Sequence, residues 1–206
     1  MSEKKRRERW IGLANSEPDW AVGFQDEVWF SRFAQPHLHL WTADKALPLQ
    51  LKSAPRNDPD PKALACYGLL RADTAASKQG GQMMVRFVEG RPVSSVTTQF
   101  LDWLLITLSQ EGKKVLLMLW DNASWHVSRE VKEWIKAHNQ KVKTEGGCRL
   151  LACRLPVKSP WLNNIEPKWV HAKRNTLEAE RLLSAQELKQ RLYHYFGCQA
   201  LESLKR

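Results

Sequence analysis

The sequence predicts an α/β fold, a mixed sheet flanked by helices, on three observations. The first half carries short apolar runs bounded by Pro, Gly and polar clusters, the mark of strands. From Val96 to Leu108 the apolar residues recur every three or four positions, as on a helix laid against a sheet. Val115–Trp120, VLLMLW, is apolar throughout, as a strand covered on both faces must be.

Each element follows in turn. Val22, Phe24, Asp26, Val28 and Phe30 share one face of a strand over 22–31. Further strands are expected at 38–42, 47–51, 64–71 and 83–89, in a mostly antiparallel meander. Between them, KSAPRNDPDPK at 52–62 holds three prolines and reads as an exposed loop. The helix carrying Val96, Phe100, Leu104 and Leu108 ends at Gly112. After the buried strand, Ser128 is placed to cap a helix with Val131, Trp134, Ile135 and His138 on one stripe. A short strand at 149–155 and a helix from about Leu162 come next. The last helix starts at Ser184, where Ser184-x-x-Glu187 is a capping box, and runs on through Leu188, Leu192 and Tyr195. Strand meander, helix, buried strand, helix, strand, helix is the order of an RNase H-like domain. Periodicity alone supports α/β or α+β.

With 206 residues the chain suits one domain. Residues 1–18, polar and basic and ending in Ser16-Glu17-Pro18, read as a linker remnant. Residues 19–180 form the body, and 181–206 a C-terminal helix packed on or extending it. Hydrophobic residues at 43% and charged residues at 26% are ordinary for a soluble globular protein, and the ten Trp are expected in core and interface. The net charge of +10 favours a polyanion partner, with a basic but unspecialised surface as the alternative. Cys66, Cys148, Cys153 and Cys198 form no C-x-x-C pair and have no nearby His to complete a zinc site, so they read as reduced thiols. MSEKKRRERW has no apolar run behind its charges, and VLLMLW is too short to span a bilayer. A soluble, cytoplasmic protein is expected.

Three acids stand out by context. Asp26 sits inside an apolar strand, Asp121 ends the buried run, and Glu166 follows Lys158-Ser159-Pro160 at a helix start. An ionised carboxylate in such a place is costly without a partner, and a divalent cation is one such partner. Each also has a structural alternative. Asp26 can pair with one of the many Lys or Arg. Asp121-Asn122 can simply make the turn after a strand. Asn163-x-x-Glu166 resembles a capping box.

Local sequence narrows the choice. Asp121-Asn122-Ala123-Ser124-Trp125-His126 resembles the "DNA/G-x-x-H" signature of the mariner-like superfamily of DDE transposases, in its bacterial insertion-sequence branch. Ser159-Pro160-Trp161-Leu162-Asn163-Asn164-Ile165-Glu166-Pro167-Lys168-Trp169 is similar to that family's "S-P-x-L-N-P-I-E-x-x-W" block, and Phe24-Gln25-Asp26-Glu27 to its first acidic block. The resemblance implies an RNase H-like catalytic domain with Asp26, Asp121 and Glu166 as ligands of two Mg²⁺ or Mn²⁺ ions. It implies cleavage at transposon ends and attack of the freed 3′-OH on target DNA, a homodimer, and work at the nucleoid. Other readings are an inactive or truncated DNA-binding or assembly subunit, and another RNase H-like nuclease.

The chain departs from the family pattern in places. Asn164 stands where Pro is usual, and 52–62 is irregular. The interval between Asp121 and Glu166 is wide, and its surplus is expected as a loop over 138–147. Glu27 competes with Asp26, but strand alternation points the two to opposite faces and the family places the ligand at the Asp. His126 is a candidate for contact with a phosphate or the attacking water, or for a turn. Lys168, Lys173 and Arg174 are candidates for phosphate contact, or for a solvated helix face. The helix-turn-helix modules that usually precede such domains have no counterpart before Asp26, so DNA-end recognition is expected from a separate segment.

Overall fold

A computed structural model describes residues 3–33, 39–41, 46–48, 55–72, 81–156, 159–177 and 181–206. In chain order the elements are α1 (Glu3–Ser16), β1 (Trp20–Ser31), β2 (His39–Trp41), β3 (Ala46–Pro48), β4 (Ala63–Arg71), β5 (Gln82–Glu89), α2 (Ser94–Gln110) and β6 (Val115–Trp120). There follow α3 (Arg129–Glu145), β7 (Arg149–Arg154), a 3-10 turn at Pro160–Leu162, α4 (Glu166–Thr176), α5 (Ala185–Phe196) and β8 (Leu204–Lys205).

Six strands form one sheet in the order β7-β6-β1-β4-β5-β8. β1 pairs antiparallel with β4, and β4 with β5. On its other edge β1 pairs parallel with β6, and β6 with β7. This is the RNase H-like arrangement, an antiparallel meander joined to parallel strands through β1. A central strand must be apolar on both faces, and β1 is. Val22, Phe24 and Phe30 face Ile165 just before α4, Trp169 of α4, and Leu188 and Leu192 of α5. Ala21 lies in the opposite core with Tyr67, Met118, Trp120 and the α2 residues Phe100 and Leu104.

Several signals appear where expected. Gly112 takes φ +82° just past α2, a conformation that costs glycine little. The Ser128 side chain accepts from the Val131 amide at the head of α3. At α5 the Ser184/Glu187 capping box is complete. Residues 55–62 run as the expected loop, tied down by the buried Arg32. Its guanidinium donates to Asp58 Oδ2 at 2.9 Å and, through Nε, to the Leu183 carbonyl at 2.7 Å.

Four expectations need correction or completion. The stretch 3–16 is helix, not linker. Its Lys, Arg and Glu are good helix formers, and one narrow face buries Ala14 and rests Ile11 on the core. The expected loop over 138–147 is helix as far as Glu145. His138 Nε2 bonds the Cys148 carbonyl at 2.9 Å, and the Asn139 side chain pairs with both backbone groups of Leu150 at 2.8 Å. The polar residues that looked like a loop thus satisfy the open edge of β7. β2 and β3 pair with each other in a separate hairpin, outside the meander. β8, parallel to β5, was not expected at all. Residues 38, 42, 49–51 and 52–54 of the expected strands and loop, and Lys158, lie outside the described residues. No described helix is long and apolar enough to cross a membrane.

Candidate active site

Register places the two aspartates. Phe24 of β1 pairs with Leu119 of β6, and both side chains enter the core on the α4 side. Side chains repeat every two residues, so Asp26 lies on that same face of β1, and Asp121 follows directly after the last residue of the adjacent parallel strand β6. Glu166 is the first residue of α4, which lies over this face. The turn before it is fastened to β1, because Asn163 donates through Nδ2 to the Gln25 carbonyl at 3.0 Å, one residue from Asp26. Asn163 therefore does not cap α4, and the capping-box reading of Glu166 falls away.

Electrostatics link the three acids. Burial, then the charges of Glu27 and Glu166, pushes Asp26 up to about 7, against the hydrogen bonds from the Glu27 backbone and Trp169. No Lys or Arg is among the groups that act on it. Burial also raises Glu166, with Lys173 opposing and Asp121 adding to the rise. Glu166 thus feels both aspartates. Among the described residues no three His, Cys, Asp or Glu are gathered as a closed metal-binding cluster. Asp121 bonds a different partner.

That partner is His126. Its Nδ1 lies 2.7 Å from Asp121 Oδ1, and its Nε2 lies 2.8 Å from Glu27 Oε1. The imidazole is fully buried and stacks on Trp120 with centroids 4.5 Å apart. Burial opposes its charge, but the two carboxylates outweigh burial and raise His126 to about 9. The His126 bond is also the main reason Asp121 lies below the usual carboxylate range. Glu27 points to the face opposite Asp26, as alternation requires, and Gln25 Nε2 donates to it at 2.9 Å. His126, a candidate for phosphate contact, has a buried ring with both nitrogens engaged by carboxylates. Asp121 also makes the turn of its structural alternative, accepting from the Ala123 amide at 2.9 Å. His126→Ala would strand the nearly buried Glu27 beside a void. It is expected to cost about 3–5 kcal/mol of stability, read from urea denaturation. Unchanged stability would show the pair to be inconsequential.

Asp26 is held by two residues that the sequence reading did not single out. Trp169 donates from Nε1 to Asp26 Oδ2 at 3.0 Å. Its ring packs edge-on against Phe30 and Phe196. Directly opposite Asp26 on β4 is Gly68, and a Cβ there would stand 2.2 Å from the Trp169 ring. The missing side chain lets α4 settle onto the sheet. The signal for Trp169 was the Glu166-x-x-Trp169 spacing, which puts both on one helix face. Gly68 carried no signal, because its role depends on a strand pairing.

Of the basic candidates on α4, Lys173 joins the site, two helical turns from Glu166 and acting on its charge. Lys168 lies about half a turn around the helix from Glu166, and Arg174 is exposed; neither acts on the three acids.

Residues 73–189, more than half the chain and including Asp121 and Glu166, match the family described as DDE superfamily endonuclease. The chain belongs to the DDE superfamily endonucleases. No curated protein matches it. Among solved structures, this DDE endonuclease is similar to the catalytic domain of Mos1 mariner transposase. The TM-score is 0.56 and identity 15%, over 96% of this chain and 80% of that one. It is also similar to the Mos1 mariner paired end complex with Mn, with a TM-score of 0.62, 14% identity, and 96% and 54% of the two chains covered. A third match is the Mos1 transposase paired-end complex with left transposon end, with a TM-score of 0.60 and 14% identity. At these identities the likeness is one of fold. The chain spans about half the length of the Mos1 chains in the two paired-end complexes.

Proposed function

We propose that this DDE endonuclease is the catalytic domain of a mariner-like transposase, cutting DNA and transferring the freed 3′ end with Asp26, Asp121 and Glu166 as its metal ligands. One observation carries the reading. Asp26 lies on β1, Asp121 directly follows the end of the adjacent parallel strand β6, and Glu166 at the head of α4 interacts electrostatically with both.

The donor set fits a hard divalent cation. Three carboxylates offer only oxygen, as Mg²⁺ and Mn²⁺ prefer, and Asp26 is a largely buried carboxylate on which no cationic side chain acts. The Mos1 complexes with Mn and with Mg support the same choice. A pair of ions held here would lower the barrier to in-line displacement by activating the attacking oxygen and stabilising the leaving 3′ oxygen.

The chain's own residues supply position. Trp169 fixes Oδ2 of Asp26, whose carboxylate also accepts from the Glu27 backbone. His126 and the Ala123 amide together fix Oδ1 of Asp121. Because His126 is itself held by Glu27, a hydrogen-bonded chain runs from one face of the sheet through to the other. Lys173 balances part of the negative charge next to Glu166 and is a candidate for contact with a strand's phosphate. In cleavage, water forms the new P–O bond as the 3′ oxygen leaves. In transfer, the freed 3′-OH is the attacking oxygen at a target phosphate.

Double-stranded DNA is the partner, favoured by the net charge of +10 and by the DNA-bound Mos1 complexes of the same fold. A homodimer bridging two ends, a separate helix-turn-helix segment and action at the nucleoid complete the reading. Residues 19–180 would form the catalytic body, with 181–206 packed on it. The test is nicking of supercoiled plasmid by the purified chain with Mn²⁺. Expected are nicks that chelator abolishes and no preference for RNA–DNA hybrid. No nicking under any metal points to an inactive subunit, and hybrid-only cleavage to a different nuclease.

A further inference from the structure

We propose that Trp161 is a stacking platform for an unpaired nucleobase at the edge of the active site. This rests on the reading of the protein as a DNA strand-cutting enzyme and adds a site to it.

Trp161 is 74% exposed, more than any other large hydrophobic among the described residues. Single exposed apolar residues are common and need no explanation, so exposure alone decides nothing. What distinguishes Trp161 is the rigidity and location of its carrier. It sits on the Pro160–Leu162 turn, closed by the Leu162 amide bonding the Ser159 carbonyl at 3.1 Å. The next residue, Asn163, is buried and tied to β1 beside Asp26, and Ile165 is fully buried. Inward-facing anchors thus alternate with an outward indole five residues before Glu166. A ring held this way loses little conformational freedom when a flat partner lands on it.

Two cations are close in the fold: Arg7 of α1 donates to the Leu162 carbonyl at 3.5 Å, next to Trp161, and Lys173 acts on Glu166 at the head of the following helix. An aromatic face among positive charges is the arrangement that holds single-stranded nucleic acid, the cations taking the backbone and the ring a base. Cutting and joining at a DNA end exposes such bases, whereas a paired duplex hides their faces in the stack.

The test uses the whole purified chain in metal-free buffer, so that no chemistry intervenes. Two fluorescent probes are compared, a blunt duplex and the same duplex with a short single-stranded 3′ tail containing 2-aminopurine. Trp161→Ala is expected to weaken binding of the tailed duplex about tenfold and to abolish 2-aminopurine quenching. Blunt-duplex affinity should stay unchanged, and Trp161→Phe should retain most of both effects. Equal losses on both probes, or none on either, would overturn the proposal. So would a change in self-association of Trp161→Ala by sedimentation with tail binding intact, which would assign the ring to a contact between copies. Asp121→Asn serves as control. If it and the wild type both fail to nick but bind the tail through Trp161, the platform stands while the catalytic reading falls.

Discussion

Asp121→Asn should lower metal-dependent nicking by about a thousandfold or more while leaving the fold intact. Removing one carboxylate ligand forfeits several kcal/mol of charge stabilisation at the displacement, and each 1.36 kcal/mol is roughly a factor of ten. The side chain is about half exposed, at 51%, so asparagine brings no packing penalty. Asn keeps Oδ1, the atom that in Asp121 meets both the Ala123 amide and His126 Nδ1, so it can still accept from both. Urea denaturation should therefore move little while the initial rate of nicking collapses. A variant that nicks like the wild type would remove Asp121 from the chemistry.

Gly68→Ala should both destabilise the domain and impair cutting, although position 68 carries no chemical group. The added Cβ would stand 2.2 Å from a Trp169 ring wedged between Phe30 and Phe196, with Ile165 also at 3.2 Å. Overpacking of this kind costs about 1–3 kcal/mol, and the clamped ring places this case near the upper end. For a domain of this size that is roughly a 6–10 °C fall in Tm, measurable by calorimetry. Relief requires Trp169 to move, which takes its N–H from Asp26. Adding Trp169→Phe to Gly68→Ala should recover stability by shrinking the ring but not nicking, because phenylalanine has no donor. Full activity and stability in Gly68→Ala would show that α4 does not depend on this close approach.

The strands and helices that carry their own periodicity were legible in the sequence. VLLMLW could only be a covered strand, and Ser128 and Ser184 announced their helices by the oxygen each offers to orphan amides. The acids were legible one by one through an apolar strand, a strand end and a helix start. What stayed hidden depends on partners distant in sequence. His138 and Asn139 look like loop residues until β7 gives them backbone groups to satisfy. α1 looks like a linker because only a narrow stripe near Ala14 is buried. β8 is two residues long and exists only because β5 offers an open edge. In the site, Glu27 appeared as a rival to Asp26. It is instead the far anchor of the imidazole that holds Asp121, an arrangement spanning 99 residues of sequence separation.

Calorimetric titration with Mn²⁺ probes the shared grip of the three acids most directly. The wild-type chain should bind the ion, and Asp26→Asn, Asp121→Asn and Glu166→Gln should each weaken binding strongly, since each removes one oxygen ligand of the same site. Wild-type affinity and stoichiometry in any one of the three would contradict the account, for that residue would then stand outside the metal site.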